Sequence, residues 1–374
     1  MPQIFSNVIK PNPYFKLASY DFNNYLNLYI NQGLNNVDFV VLEPVYNNLD
    51  LSVIDFDPLA YFTNSLLVKI VEGSVKVIFD CSIEGSYVNF PYFKHFLAGY
   101  KSRNLDFSSL YYLTGDLEET TTGYNNIYHI NTLDSFFKDT IVSKSTAKKD
   151  YIFSCLNRKP RYWRSKLIYL VKTDELLKSK SLCSHPKINS ASDFFDHTGF
   201  DVEDNITNFF INTGPLQVSE LRPLQENMQF SNVISHLPEV YSRVCFDVSL
   251  ETFQEHHKFV TEKTFKPMIN QVPVLIWGAP NINTDGLASI GFKTYEEWFD
   301  LSFDSEKDTE KRLYLLLKEI KRVTQILIDM DDEQQLQWQH KNASVIAHNY
   351  NQILNLLPKN KIEFNRLFED LSRA

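Results

Sequence analysis

Thr261, Glu262 and Lys263 head a stretch, FVTEKTFKPMINQVPVLIWGAP, that reads as a short amphipathic helix followed by a buried strand closed by glycine. The start of a helix carries amide groups that its own turns do not use, and these suit a phosphate. An acid at that position, Glu262, can accept from ribose or sugar hydroxyls, while Lys263 and Lys266 can pair phosphate oxygens. A second chemically capable group is Asn157, Arg158, Lys159, Arg161, Arg164 and Lys166, with five cations in nine residues and no acid among them. It follows the apolar run YIFSCL, so it is expected at a strand-to-helix turn, where open α/β sheets bind ligands. Arginine forks at such a turn can neutralise a departing diphosphate by electrostatics.

These residues need a framework that brings strand ends and helix starts together. Over most of the chain, strand-like runs alternate with amphipathic stretches, the pattern of α/β domains with parallel sheets. VDFVVLEPV, VKVIFDCSI, LYYLTG and NIYHIN read as strands of a first half, with DPLAYFTNSLLVKIVEG and FPYFKHFLAGYKSRN as helical segments between them. The polar stretch SKSTAKKD marks a domain boundary. Beyond it, YIFSCLN, SRVCFDVSL and VPVLIWG are expected strands and NVISHLPEV an expected helix. From Glu306 the pattern is helical, with RLYLLLKEIKRVTQILIDM apolar at i, i+3, i+4 and i+7. The resulting divisions are 1–148, 149–335 and a helical tail, 336–374.

A chain of 374 residues, 43% apolar and 22% charged, has the size and composition of two globular domains. Its net charge of −9 argues against a broad grip on nucleic acid, which relies on many cations. No run approaches the length of a membrane span, and MPQIFSNVIKPNPYF lacks a basic-then-apolar leader, so a soluble, cytoplasmic protein without a membrane span is expected. Cys81, Cys155, Cys183 and Cys245 have no CxxC spacing and are expected as reduced core residues. His95, His129, His256 and His257 show no metal-binding spacing, although the 256–257 pair precedes the first motif.

Thr-Glu-Lys, a helix, Val-Pro-Val and a Gly-x-Pro turn together resemble the donor-sugar signature of the α-1,3-fucosyltransferase family. The chain more closely resembles a group of virus- and phage-encoded glycosyltransferase-like proteins, in which Thr-Glu-Lys-Thr-Phe-Lys-Pro is followed by Gly-Phe-Lys-Thr-Phe. Here the second element is Gly291, Phe292, Lys293, Thr294 and Tyr295. That group also carries a Leu-Asn-Arg-x-Pro-Arg-x-x-Arg run like residues 156–164, so the resemblance covers chiefly residues 150–300.

The resemblance implies a GT-B-like α/β fold, with two Rossmann-like domains facing across a cleft. It also implies a metal-independent, inverting transfer from a nucleotide-diphosphate sugar, with no further cofactor. Arg158, Arg161 and Lys263 would pair the donor phosphates, Glu262 would hold its ribose or sugar hydroxyls, and Asn157, Arg164, Thr261 and Lys266 would complete the donor site. In the fucosyltransferases the preceding strand ends Phe-Glu-Asn-Ser. This chain has Phe246, Asp247, Val248 and Ser249, so Ser249 is carried over to the donor site, the asparagine is missing, and Glu251 or Thr252 stands nearby in its place. The transfer needs a first-domain carboxylate as base, for which Asp80, Glu84 and Asp116 are the candidates. The acceptor would be a glycan, a protein or a modified DNA base. Two other readings stay open: a noncatalytic nucleotide- or glycan-binding protein, and a GT-A transferase in which Asp55 and Asp57 hold a nucleotide-bound cation.

Overall fold

The structure is a computed structural model that describes residues 15–17, 38–44, 59, 62–81, 91–115, 126–129, 148–194, 202–216, 237–251 and 259–373. It is a mixed α/β chain with two sheets of mainly parallel strands, divided into two compact units. One comprises Met1–Leu133 and Leu356–Ala374, the other Asp134–Asn355. The division falls before the expected boundary at 148, and the end of the expected helical tail belongs with the first unit.

In the first unit β1 (Phe15–Leu17), β2 (Asp38–Pro44), β3 (Val75–Cys81), β4 (Leu110–Thr114) and β5 (Ile127–His129) lie side by side in chain order. β1 runs antiparallel to β2, and the other neighbours are parallel. The four expected strands are β2 to β5; β1 is too short for a periodic signal. Val40, Val41, Val77, Ile78 and Leu113 are all fully buried, which is why these strands read as continuous apolar runs rather than alternating ones. Helices α1 (Asn64–Val71) and α2 (Pro91–Ser102) lie on either side of β3 in the sequence, and the Thr63 hydroxyl caps α1 by accepting from the Leu66 amide.

In the second unit β6 (Tyr151–Leu156), β7 (Ser181–Ser184), β8 (Val244–Leu250) and β9 (Val274–Trp277) form a parallel sheet in the order β7-β6-β8-β9. The sequence patterns locate β6, β8 and β9 but miss β7, whose four residues are buried and carry no alternation. α3 (Tyr162–Thr173) joins β6 to β7, α4 (Asp204–Thr213) and α5 (Pro238–Tyr241) precede β8, and α6 (Glu262–Ile269) joins β8 to β9. Only the end of the expected helix NVISHLPEV lies among the described residues, as α5. Helices α7 (Thr309–Ile328), α8 (Asp332–Gln339) and α9 (Ala343–Arg373) follow, as the helical pattern after Glu306 requires. α7 buries Leu313, Leu316, Ile320, Val323 and Leu327, the stripe read from the sequence. Cys155, Cys183 and Cys245 are buried and unpaired, as expected, while the side chain of Cys81 lies outside the described residues.

The first part of α9 explains the second sequence element. The Asn349 carboxamide accepts from the Lys293 amide at 2.8 Å and donates to the Lys293 carbonyl at 2.9 Å. His348 Nε2 lies 2.8 Å from the Gly291 carbonyl, and Gln352 donates to that of Ile290 at 2.8 Å. Gly291 has a φ of 85°, which a Cβ would oppose, and Phe292 stacks on Phe265 of α6 with ring centres 5.8 Å apart. Gly-Phe-Lys-Thr-Tyr is thus a docking loop for α9, joined to the first motif by packing. At its other end α9 belongs to the first unit, where Asp370 accepts from the Tyr128 hydroxyl at 2.6 Å and Arg366 donates to the Ile127 carbonyl at 2.7 Å.

Replacing Asn349 with alanine leaves both Lys293 backbone groups unanswered. The expected loss is about 2 kcal/mol, read as a lower urea midpoint for the transition of the second unit.

Candidate functional site

The chain changes direction across the second sheet at β6. From β6 it passes to β7 on one side, and the next strand, β8, lies on the other. Ligands of open α/β sheets gather outside the carboxyl ends of the strands at such a point. Asn157 and Arg158 follow β6 there and Glu251 follows β8, so both sequence motifs leave from the two strands that flank the switch.

Glu251 is the joint. Its buried carboxylate accepts from the Thr261 amide at 2.9 Å, the Thr261 hydroxyl at 2.7 Å and the Thr264 hydroxyl at 2.6 Å. Its carbonyl accepts from Arg164 Nε of α3 at 3.3 Å. One residue therefore ties the end of β8 to the first turns of both α3 and α6. Of the two residues weighed as replacements for the missing asparagine, Glu251 is structural and Thr252 lies outside the described residues.

The start of α6 differs from the expected open anion site. The Thr261 hydroxyl accepts from the Lys263 amide at 3.3 Å and from Lys263 Nζ at 2.9 Å, and the Thr261 carbonyl accepts from the Thr264 and Phe265 amides. The Glu262 carboxylate accepts from its own amide and lies 3.3 Å from Lys263 Nζ. Thr-Glu supplies its own acceptors, so this helix end is capped from within. What it presents instead is charge. Burial pushes the Glu262 carboxyl up, but Lys263 and Lys266 outweigh burial and hold it at about 2. Burial holds the Lys266 ammonium down at about 8, with Glu262 opposing and Lys263 and Arg158 adding to the effect. The effect of the Arg158 charge on Lys266 ties the basic run to α6.

The cations of the basic run divide. Arg158 and Lys159 are exposed and Arg161 is partly so, whereas Arg164 is buried against Glu251 and differs from the expected phosphate contact. Lys166 is buried between Glu203 and Glu310, 2.5 Å from each, with the rings of Tyr162, Trp163 and Tyr314 around it. It braces α3. Ser165 of the same helix lies 2.7 Å from His185 Nε2, and burial holds that imidazole at about 4; the fully buried pair pins α3 to the end of β7.

Asn157 stands apart. Its amide donates to Ser184 of β7, which fixes the loop. Its side chain, in a residue only 2% exposed, has neither carboxamide atom hydrogen-bonded. The indole N–H of Trp277, at the end of β9, is also buried without a partner. Such a group costs about 1–3 kcal/mol, and a carboxamide left so at the ligand-binding edge of a sheet suits a ligand that would answer it.

Ser249, expected at the donor site, is a buried strut beneath α6, within 2.7 Å of Asp247 Oδ2 and 2.8 Å of the Lys263 carbonyl. Asp247, Ser154 and the bracing role of Glu251 were not anticipated, although polar residues inside otherwise apolar strands were the available signal. Asp80 is buried near the carboxyl end of β3. Glu84, Asp116, Asp55, Asp57, His256 and His257 lie outside the described residues. Among the described residues no group of three or more His, Cys, Asp or Glu is arranged to hold a metal ion, and no helix is long and apolar enough to cross a membrane.

Lys266 has a folded value below that of a free lysine, so the folded state holds fewer protons between about pH 8 and 10.5 and stability rises with pH across that window. Lys266→Met is expected to abolish that rise in a pH series of thermal midpoints; an unchanged rise would remove Lys266 from the buried cluster. No protein-family model, no curated protein and no solved structure matches the chain.

Proposed function

We propose that the second unit binds a nucleoside diphosphate and that the chain is a glycosyltransferase drawing on a nucleotide-diphosphate sugar. The observation that carries the reading is the buried Asn157 carboxamide without a hydrogen bond, next in the chain to Arg158, whose charge reaches Lys266 of α6, at the carboxyl ends of parallel strands. A diphosphate meets the cations there, and a carboxamide offers a donor and an acceptor side by side to a ligand edge. The resemblance of residues 156–164 and 261–267 to glycosyltransferase-like proteins adds the sugar.

In this reading Arg158, Lys263 and Lys266 neutralise charge that grows on the diphosphate as the glycosidic bond breaks. The arriving phosphates favour the protonated form of Lys266, which stands near its midpoint at about 8. Glu262, ionised and 16% exposed, accepts from ribose or sugar hydroxyls. A carboxylate of the first unit takes the acceptor proton, Asp80 being the candidate among the described residues. The reading carries with it the GT-B arrangement of two Rossmann-like halves, a glycan, protein or modified DNA base as acceptor, and transfer that persists in EDTA.

The test is a thermal-shift series with nucleoside diphosphates and their sugars on the full chain and on Asn157→Leu. A ligand at a hundred times its Kd adds about 2.7 kcal/mol to the wild type. The leucine variant relieves the unanswered carboxamide, so without ligand it is expected to gain about 1–2 kcal/mol while losing the ligand-induced shift. A shift that survives in the variant, or no shift with any nucleotide at millimolar concentration, overturns the reading. Donor hydrolysis by the wild type and its loss in Glu262→Gln separate an enzyme from a binding protein.

A further inference from the structure

Lys263 lies four residues before Pro267, inside α6. The intrahelical partner of the Lys263 carbonyl would be the amide of residue 267, and proline has none. Ser249 supplies the missing donor from β8, with its Oγ 2.8 Å from that carbonyl. The same Oγ lies 2.7 Å from Asp247 Oδ2, and a hydroxyl has one proton to give. An ionised Asp247 would therefore leave Ser249 facing two acceptors, with one oxygen unanswered. A protonated Asp247 answers all of them. Its Oδ2–H donates to Ser249, Ser249 donates to Lys263, and Ser154, at the registered position on β6, donates to Oδ1 at 2.5 Å.

We propose that Asp247 acts in its protonated form as a positioning residue, holding through Ser249 the Lys263 carbonyl that Pro267 leaves open, so that its ionisation loosens the first turn of α6. The surroundings favour the neutral acid. The titratable groups facing it are Cys155 on β6, Cys183 on β7 and Tyr241 on α5, none of them a cation. Lys172 of α3 lies beyond the two thiols and donates to Lys178 and Ser181. On α6 the Lys263 ammonium is turned to Thr261 and Glu262, and β9 brings only Val274, Leu275, Ile276 and Trp277. Burial pushes Asp247 up to about 7, with Ser154 and Ser249 pulling the other way. That lies above the roughly 3.9 of an unfolded chain, so the stability it brings is fully present below about pH 4 and is lost as pH rises through about 7. Only its effect on ligand affinity rests on the nucleotide reading.

The experiment follows 13C-labelled aspartate by NMR in the full chain, with thermal midpoints from pH 5 to 9, for the wild type, Asp247→Asn and Pro267→Ala. The wild type is expected to show one carboxyl titrating near 7, absent in Asp247→Asn. The asparagine can donate to Ser249 and accept from Ser154, so that variant keeps its midpoint at pH 8 where the wild type falls. Pro267→Ala restores the amide donor to Lys263 and frees Ser249 for Asp247, so the titration moves to lower pH, a change that a merely structural proline would not produce. No carboxyl titrating near neutrality, or a midpoint unmoved by Pro267→Ala, overturns the proposal. GDP and UDP affinities, measured alongside, should fall between pH 7 and 8 by up to about tenfold in the wild type and hold nearly level over that interval in Asp247→Asn, while the deprotonation of Lys266 lowers both above pH 8. Failure of both nucleotides to bind at every pH removes the donor reading, while the NMR titration decides the proton.

Discussion

The second unit hangs on the carboxylate of Glu251. It accepts three hydrogen bonds from Thr261 and Thr264, and its carbonyl receives Arg164, so the end of β8 and the first turns of α3 and α6 are one rigid joint. A buried carboxylate is tolerable only when its lone pairs are answered this fully. Removing those donors would leave a charge without compensation, and Thr261 and Lys263 would lose their place.

Around that joint, most polar groups near the strand ends serve packing. Lys166, as buried as Arg164, is clamped by Glu203 and Glu310, and Ser165 and His185 hold α3 to β7. Against this background the buried carboxamide of Asn157 has neither of its polar atoms hydrogen-bonded, and neither is the indole N–H of Trp277. The two motifs are linked there through charge, with Arg158 acting on Lys266 while Lys263 and Lys266 hold Glu262 ionised.

Much of the fold was legible because long apolar runs and amphipathic stripes report burial directly. β2 to β6, β8, β9 and α7 follow their patterns, whereas β1 and β7 escaped because three or four residues carry no usable period. The site was legible in its residue types but less so in its roles. Thr261 was expected to leave amides open and caps them instead; Ser249 was expected to meet a ligand and meets Lys263 and Asp247. The causes differ: the Thr261 hydroxyl caps an amide two residues along its own chain, whereas Ser249 meets Lys263 because β8 and α6 pack together.

By itself the sequence determined the alternation of strands and helices, the two motifs that could bear a diphosphate, and a proline that strips one carbonyl of its helical partner. These are local properties, set by residue type and by spacing along the chain. Only the tertiary structure decided which cations face outward, that Gly291–Tyr295 docks α9, and that Ser249 stands between Asp247 and the Lys263 carbonyl. Those outcomes depend on which residues from β6, β8 and α6 become neighbours. Burial then makes each of those meetings consequential, since a polar atom removed from water must find its partner among whatever the fold has brought beside it.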